Sequence, residues 1–210
     1  MRSKVTRALG HMKPNKAPGP DEVPYELLKV GGDVVLDKLH KLIVSVWENG
    51  EWPEEWTQIT FVPLHKKGDS GECSNYRTIA LVSHASKILL RIILERIQAK
   101  TESELAPEQA CFRPRKGTRD QITNLKIIMD KAREFSQPLY LCFIDFAKAF
   151  DSVSHEKLWI AMLDMGYSPH LVQLLSNLYR NQKAAVRVAR VCLNTENHRK
   201  TPQNTANTFI

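Results

Sequence analysis

Apolar residues recur along this chain with two different periods, and the changes of period divide it into elements. From Val23 to Trp47 they fall at helical spacing, a run broken around Gly31-Gly32. Asp21 is placed to cap the start of that run. A long helix is predicted from Ser83, its cap, to about Leu105. Leu89, Ile92, Ile93 and Ile97 share one face of it, with Arg91, Glu95 and Arg96 among the remaining positions. Thr118 with Gln121 fits a capping box for a further helix, where Ile122, Leu125, Ile128, Met129 and Ala132 form the apolar stripe. Both stripes are expected to face a core. Ser154 and Ser168-Pro169 mark two more helix starts.

Strand patterns are fewer. Ile59–Leu64 predicts a short strand, and Pro63 within it favours an edge position. Leu139-Tyr-Leu-Cys-Phe-Ile144 is a continuous apolar run of strand-forming residues, the pattern of a strand buried on both faces. Ala184–Val188 predicts a third strand. Between elements, Lys13-Pro-Asn-Lys-Ala-Pro-Gly-Pro-Asp21 is a rigid loop of turn residues. From about Asn194 the chain is rich in Thr, Asn and Gln, too polar to bury the surface that ordering requires. No internal repeat is evident. The class is α/β with a ragged polar end.

Composition adds bounds. The 210 residues allow one large domain or two small ones, and 42% hydrophobic with 25% charged residues is the balance of a globular chain. Thirty Lys and Arg against 23 Asp and Glu leave a net charge of +7, which points to a polyanionic partner such as nucleic acid. The basic start has no apolar core of a secretory signal, and the apolar runs at Val34–Leu36 and Ile88–Leu90 stop at Asp37 and Arg91. An intracellular location, nuclear or cytoplasmic, is therefore expected, with no membrane partner. Cys73, Cys111, Cys142 and Cys192 are scattered and read as free thiols. His65, Cys73 and His84 lack the spacing of zinc ligands.

Three stretches could carry chemistry. In Phe143-Ile-Asp-Phe-Ala-Lys-Ala-Phe-Asp151, Asp145 stands at the end of the apolar run, where a carboxylate emerging at a sheet's carboxyl edge can hold Mg²⁺. On spacing alone the alternative is equal: Asp145 closes a turn, Asp151 caps a helix, and Phe146 and Phe150 are core aromatics. In His65-Lys-Lys-Gly-Asp69 followed by Asn75-Tyr-Arg77, a Gly turn presents Lys66 and Lys67, and Arg77 adds a fork donor suited to phosphate. A solvated hairpin tip would have the same composition. In Cys111-Phe-Arg-Pro-Arg-Lys-Gly-Thr-Arg119, four basic residues flank a helix start, a natural anion site that is also, by itself, only a basic loop.

The order of these stretches is more informative than any one of them. Asn15-Lys-Ala-Pro-Gly-Pro-Asp21, Trp52-Pro-Glu-Glu-Trp56, Pro63-Leu-His-Lys-Lys-Gly-Asp69, Asn75-Tyr-Arg77 with Ile79-Ala-Leu81, Glu108–Arg113 with Thr118–Gln121, and Asp145–Val153 follow one another. Over residues 13 to 188 this series closely resembles the reverse transcriptase domain of non-LTR (LINE-type) retrotransposons.

The resemblance implies a partial right-hand polymerase fold. Residues 1–137 would form a helix-rich fingers region with a short basic hairpin, 138–190 the first part of a palm sheet, and 191–210 a disordered polar tail. Asp145 corresponds to the first catalytic, metal-binding carboxylate, and Phe146 to the residue offering its carbonyl to the metal. Phe150 corresponds to the aromatic residue that crowds a 2′-hydroxyl. Asp151 matches a family residue whose role is less clear. Lys66 or Lys67, with Arg77, would grip the incoming triphosphate. Arg113, Arg115 and Lys116 would face the template–primer backbone through salt-sensitive contacts. Implied partners are an RNA template, a DNA primer or hybrid, and a dNTP. The implied cofactor is Mg²⁺, two ions assisting attack of a primer 3′-hydroxyl on the α-phosphate.

The sequence also departs from that family. No Asp-Asp pair occurs anywhere, Asp164 is the sole aspartate after Asp151, and the later Gly-Gln motif is missing. Thr78 and Cys111 stand where the family has Pro and Gly. The pattern fades near Arg190. The expectation is a truncated reverse transcriptase without polymerase activity alone. The alternatives are a non-catalytic nucleic-acid-binding module of the same ancestry, or a non-functional pseudogene product.

Overall fold

The computed structural model describes residues 1–146, 149–150, 152–188 and 191–195. The chain divides into two compact units, one of residues 1–95 and 149–210, the other of residues 96–148.

The first unit is built from α1 (Arg2–Gly10), α2 (Tyr25–Val30), α3 (Gly32–Asn49), the single turn α4 (Glu54–Thr57), β1 (Gln58–His65), β2 (Tyr76–Leu81), the greater part of α5 (His84–Glu104), α7 (His155–Asp164), α8 (Pro169–Arg180), β3 (Lys183–Val188) and β4 (Val191–Thr195). The Gly31-Gly32 pair does break the Val23–Trp47 run. Gly32 takes φ +56°, a left-handed backbone that costs glycine little, so α2 stops and α3 begins there. Gly50, at φ +71°, closes α3 by donating its N–H to the Val46 carbonyl at 3.0 Å. Leu36, Leu39, Ile43 and Val46 of α3 are buried at helical spacing, as are Leu171, Leu174 and Leu178 of α8 and Ile88, Leu89, Ile92 and Ile93 of α5. Each such side chain contributes roughly 1.5–3 kcal/mol when withdrawn from water. Polar bonds fix how α8 meets the turn after α3: the Trp52 Nε1–H donates to the Leu174 carbonyl at 2.9 Å, and Asn177 Nδ2 to the Gly50 carbonyl at 3.0 Å. Ser154 and Ser168 cap α7 and α8 as their sequence context predicts, accepting from the N–H groups of Lys157 and Leu171, with Pro169 in the first helical turn.

The sheet has the order β2-β1-β3-β4, with β1 antiparallel to β2 and parallel to β3, and β3 antiparallel to β4. Pro63 therefore lies in an interior strand and not on an edge strand. The register explains how. Lys66 N–H donates to the Asn75 carbonyl at 2.8 Å, so by alternation Pro63, opposite Thr78, is a non-hydrogen-bonded position of the β1–β2 ladder. Pairing with β3 runs only from Gln58 to Phe61, so Pro63 stands beyond it, where its missing N–H leaves no ladder bond unmade.

Several other expectations are corrected. Val191–Thr195 is not tail but β4, supplied with backbone partners by β3 from Ala184 to Val188; residues 196–210 lie outside the described residues. Asp21 does not cap α2, which begins after Pro24; its carboxylate accepts from Val23 N–H at 3.4 Å and from the Ser83 hydroxyl at 2.6 Å. The basic start, assigned no element, is helical: Arg2 of α1 pairs with Asp33 and Asp37, and Arg7 with Glu95.

The second unit holds the end of α5, a loop, α6 (Thr118–Glu134) and the extended segment after it. Here Gly117 and not Thr118 occupies the N-cap, and its N–H donates to the Asp120 carboxylate at 2.9 Å in place of the expected Thr118–Gln121 box. The stripe expected to face a core does not. No residue of α6 is buried, and Ile122 and Ile128 are about half exposed. Leu139–Ile144 forms no strand: Tyr140 is 90% and Phe143 80% exposed. The pattern of β-forming residues is real, but a strand needs ladder partners, and among the described residues this unit contains no strand at all. The result is an α/β (α+β) chain, helix-rich, with one small mixed sheet.

Candidate functional site

The β1–β2 hairpin gathers one set of the predicted residues. Arg77 lies opposite Leu64, and Lys66 opposite Asn75, two positions on. Directly opposed residues share a face and the period is two, so Lys66 and Arg77 fall on one face as diagonal neighbours. Lys67 lies in the bend that follows. Both lysines and Arg77 are exposed. The opposite face shows its own pairing, with the His65 and Tyr76 rings 5.2 Å apart edge to face.

The loop carrying the lysines is closely built. Gly68 takes φ +96°, and a side chain there would meet Asn75 Nδ2 at 2.8 Å. Asn75 Nδ2 in turn donates to the Asp69 carbonyl, Gly71 N–H to the Asp69 carboxylate, and the Tyr76 hydroxyl to the Ser70 carbonyl, at 2.8 to 2.9 Å. The cations therefore sit on a shaped turn held by its own polar groups.

A second set lies in the other unit, and its members serve different ends. Arg113 is only 11% exposed in its side chain. Its guanidinium donates to Glu102 through Nε and Nη2, at 3.0 and 2.6 Å, and through Nη1 to the carbonyls of Ala106 and Gln109. Lys116 donates to the Pro107 carbonyl. These two side chains, expected at a nucleic-acid backbone, instead hold the loop after α5 by satisfying its carbonyls. Arg115, at φ +64° and exposed, makes no ion pair among the described residues.

Asp145 and Phe146 end the extended segment of the second unit, both exposed, Phe146 at 72%. Phe150, 53% exposed, belongs to the first unit, and Asp151 lies outside the described residues. Among the described residues no group of three His, Cys, Asp or Glu side chains could hold a metal ion. A two-ion centre needs several convergent oxygen ligands. The single exposed carboxylate of Asp145 does not supply them, so the described residues do not fit such a centre.

The tip of the hairpin, β2 and the loop after α5 fall within a longer match. Residues 64–206, more than half of the chain, match the family model described as reverse transcriptase (RNA-dependent DNA polymerase). This chain belongs to the reverse transcriptase family. It is 29% identical over 185 residues to an RNA-directed DNA polymerase from mobile element jockey of Drosophila funebris, an alignment covering 87% of this chain and 20% of that protein. It is 26% identical over 184 residues to the transposon TX1 uncharacterized 149 kDa protein of Xenopus laevis, covering 88% and 14%. It is 30% identical over 132 residues to the Pol polyprotein from the type-1 retrotransposable element R2 of Popillia japonica, covering 61% and 18%. The chain thus spans 14–20% of the length of these retrotransposon relatives. Reverse transcriptases generally use a divalent metal and act on nucleic acid and nucleotides. Among the described residues no helix is long and apolar enough to cross a membrane.

Sequence reasoning read the family and the α7 and α8 caps. It missed the Asp21–Ser83 bond, although both residues read as caps. Two helix-capping residue types with no other partner in their own helices were the available signal.

Proposed function

We propose that this chain is the nucleotide- and template-binding part of a reverse transcriptase, with residues 1–137 serving as fingers and 138–190 as the start of a palm. The observation that carries the reading is the shared face of Lys66 and Arg77 on the β1–β2 hairpin. An ammonium and a planar guanidinium, side by side and uncommitted to acidic partners in the described ion pairs, match the charge and shape of a triphosphate. On this reading Lys66, rather than Lys67, is the partner of Arg77. Arg115 is the residue of its loop that meets a nucleic-acid backbone, with Arg113 and Lys116 shaping the loop beneath it. Asp145 stands at the position of the family's first metal-binding carboxylate, and Phe146 and Phe150 at the positions the family uses toward the metal and the sugar, with Mg²⁺ the ion the family would use. Among the described residues no carboxylates join Asp145 in a metal-holding group, so primer extension by this chain alone is not expected.

Fluorescence anisotropy with a labelled RNA–DNA hybrid tests the binding half. Affinity should fall steeply with rising salt, and Arg115→Ala should weaken it and flatten the salt slope. Lys66→Ala should lower protection by a dNTP against limited proteolysis more than Lys67→Ala does. No binding at low salt would sink the reading. Primer extension with Mg²⁺ and dNTPs tests the other half and should give no product. Extension lost in Asp145→Asn would show that the chain completes its own metal centre.

A further inference from the structure

One buried group remains unused by the fold and by the hairpin. His84, at the first turn of α5, is 1% exposed, and its ring nitrogens make no well-formed hydrogen bond, with the Lys16 backbone near enough to act on the ring. A buried imidazole without a well-formed hydrogen bond costs stability, and costs more once protonated. What lies around it is a strap of turn residues. Gly19 packs so closely on the backbone of Val82 and Ser83 that a Cβ there would stand 2.4 Å from the Ser83 nitrogen. Asp21 accepts the Ser83 hydroxyl at 2.6 Å, and Asn15 N–H donates to Glu26 Oε1 at 2.8 Å. Between these ties the strap is exposed at Asn15 and Lys16, and Asn15 and Glu22 both take positive φ. A few polar bonds and one close backbone contact hold it, and such segments open at lower free energy than the apolar core of their unit.

We propose that the strap of residues 15–23 and the start of α5 form an acid-opened latch, with His84 as the group whose protonation opens it. The charged groups acting on His84 are Lys87 on α5, Asp21 on the strap and Glu26 on α2. Burial, and then the Lys87 charge, hold the imidazole below its ordinary range, while the Lys16 backbone, Asp21 and Glu26 act more weakly the other way. Burial likewise lowers the neighbouring Lys87, which Asp21 opposes. The closed latch therefore keeps His84 neutral, whereas the open one lets water reach a ring that titrates near its ordinary 6.5. Closed-state stability is complete above that value and is lost as pH falls below it, because the open form binds the extra proton. Opening would free the strap, with the exposed Lys13 and Lys16, and the first turn of α5 together. The latch does not depend on the proposed nucleotide role.

Hydrogen exchange of the full chain, followed by mass spectrometry between pH 7.5 and 5.5 and corrected for intrinsic rates, tests it. Peptides over residues 13–24 and 83–87 should show an opening equilibrium that rises as pH falls below about 6.5, approaching tenfold per pH unit, the slope of one proton. Peptides from α3 and α8 should not. His84→Gln should flatten the profile, and His84→Leu should do the same. Asp21→Asn should raise opening at every pH and leave the slope in place. A flat wild-type profile, an equal slope in α3 and α8, or a slope that survives in either His84 variant would each overturn the latch. Should neither variant fold, the wild-type contrast between the strap and α3 decides the matter.

Discussion

The two units of this chain use similar amounts of apolar sequence to opposite ends. Every buried residue of the described chain belongs to the unit of residues 1–95 and 149–210; between 96 and 148 there is none among the described residues. Yet residues 122–144 carry Ile122, Ile127, Ile128, Met129, Phe135, Leu139, Tyr140, Leu141, Phe143 and Ile144, an apolar set only slightly less dense than that of α3 and α8. The difference lies in partners. In the first unit α3, α5 and α8 each present a stripe at helical spacing, and each stripe is covered. In the second, one helix and one extended segment have no element of their own unit large enough to cover them. Periodicity records which side chains could be buried, and burial itself is a property of at least two elements.

The comparison can be broken at its strongest point by truncating matched side chains. Ile43→Ala or Leu174→Ala, at positions with no exposure, should cost about 2–5 kcal/mol in a denaturant titration. Phe143→Ala, at a position 80% exposed, should change stability by less than about 0.5 kcal/mol. Equal losses would mean that Phe143 packs as Ile43 does and that the contrast between units is false.

A smaller effect separates two arginines of the loop between α5 and α6. Arg113→Ala leaves Glu102 and two carbonyls without their donor, a loss of about 1–3 kcal/mol that limited proteolysis across residues 105–117 would report. Arg115→Ala should leave proteolysis unchanged and act on hybrid binding alone. The smallest change in stability, with a plain solution readout, is expected for Ile144→Asp. It should lower dye binding to exposed apolar surface and slow aggregation while leaving the melting temperature of the first unit in place.

Legibility in the sequence divides along the same line. Local devices could be read directly: the Gly31-Gly32 break and the Ser154 and Ser168 caps depend on a few neighbouring residues. The Leu139–Ile144 strand and the α6 stripe could not, since their fate rests on partners distant in sequence. Among site residues, Lys66 and Arg77 were found by motif, but only the strand register puts them on one face. Arg113 shows the opposite error. A basic residue beside a helix start suggests phosphate, whereas its donors are spent on Glu102 and on loop carbonyls. Nothing in the spacing of Arg113 to Glu102 distinguishes these uses.

Pro63 has a mechanical consequence. From Gln58 to Phe61, β1 is clasped by β3, and beyond that point the strand is held by β2 alone. The hairpin is thus a cantilever, clamped at its root in the sheet and loaded at its tip with Lys66 and Lys67. Beyond Phe61 bending works against one ladder instead of two, so the tip is less restrained than the root.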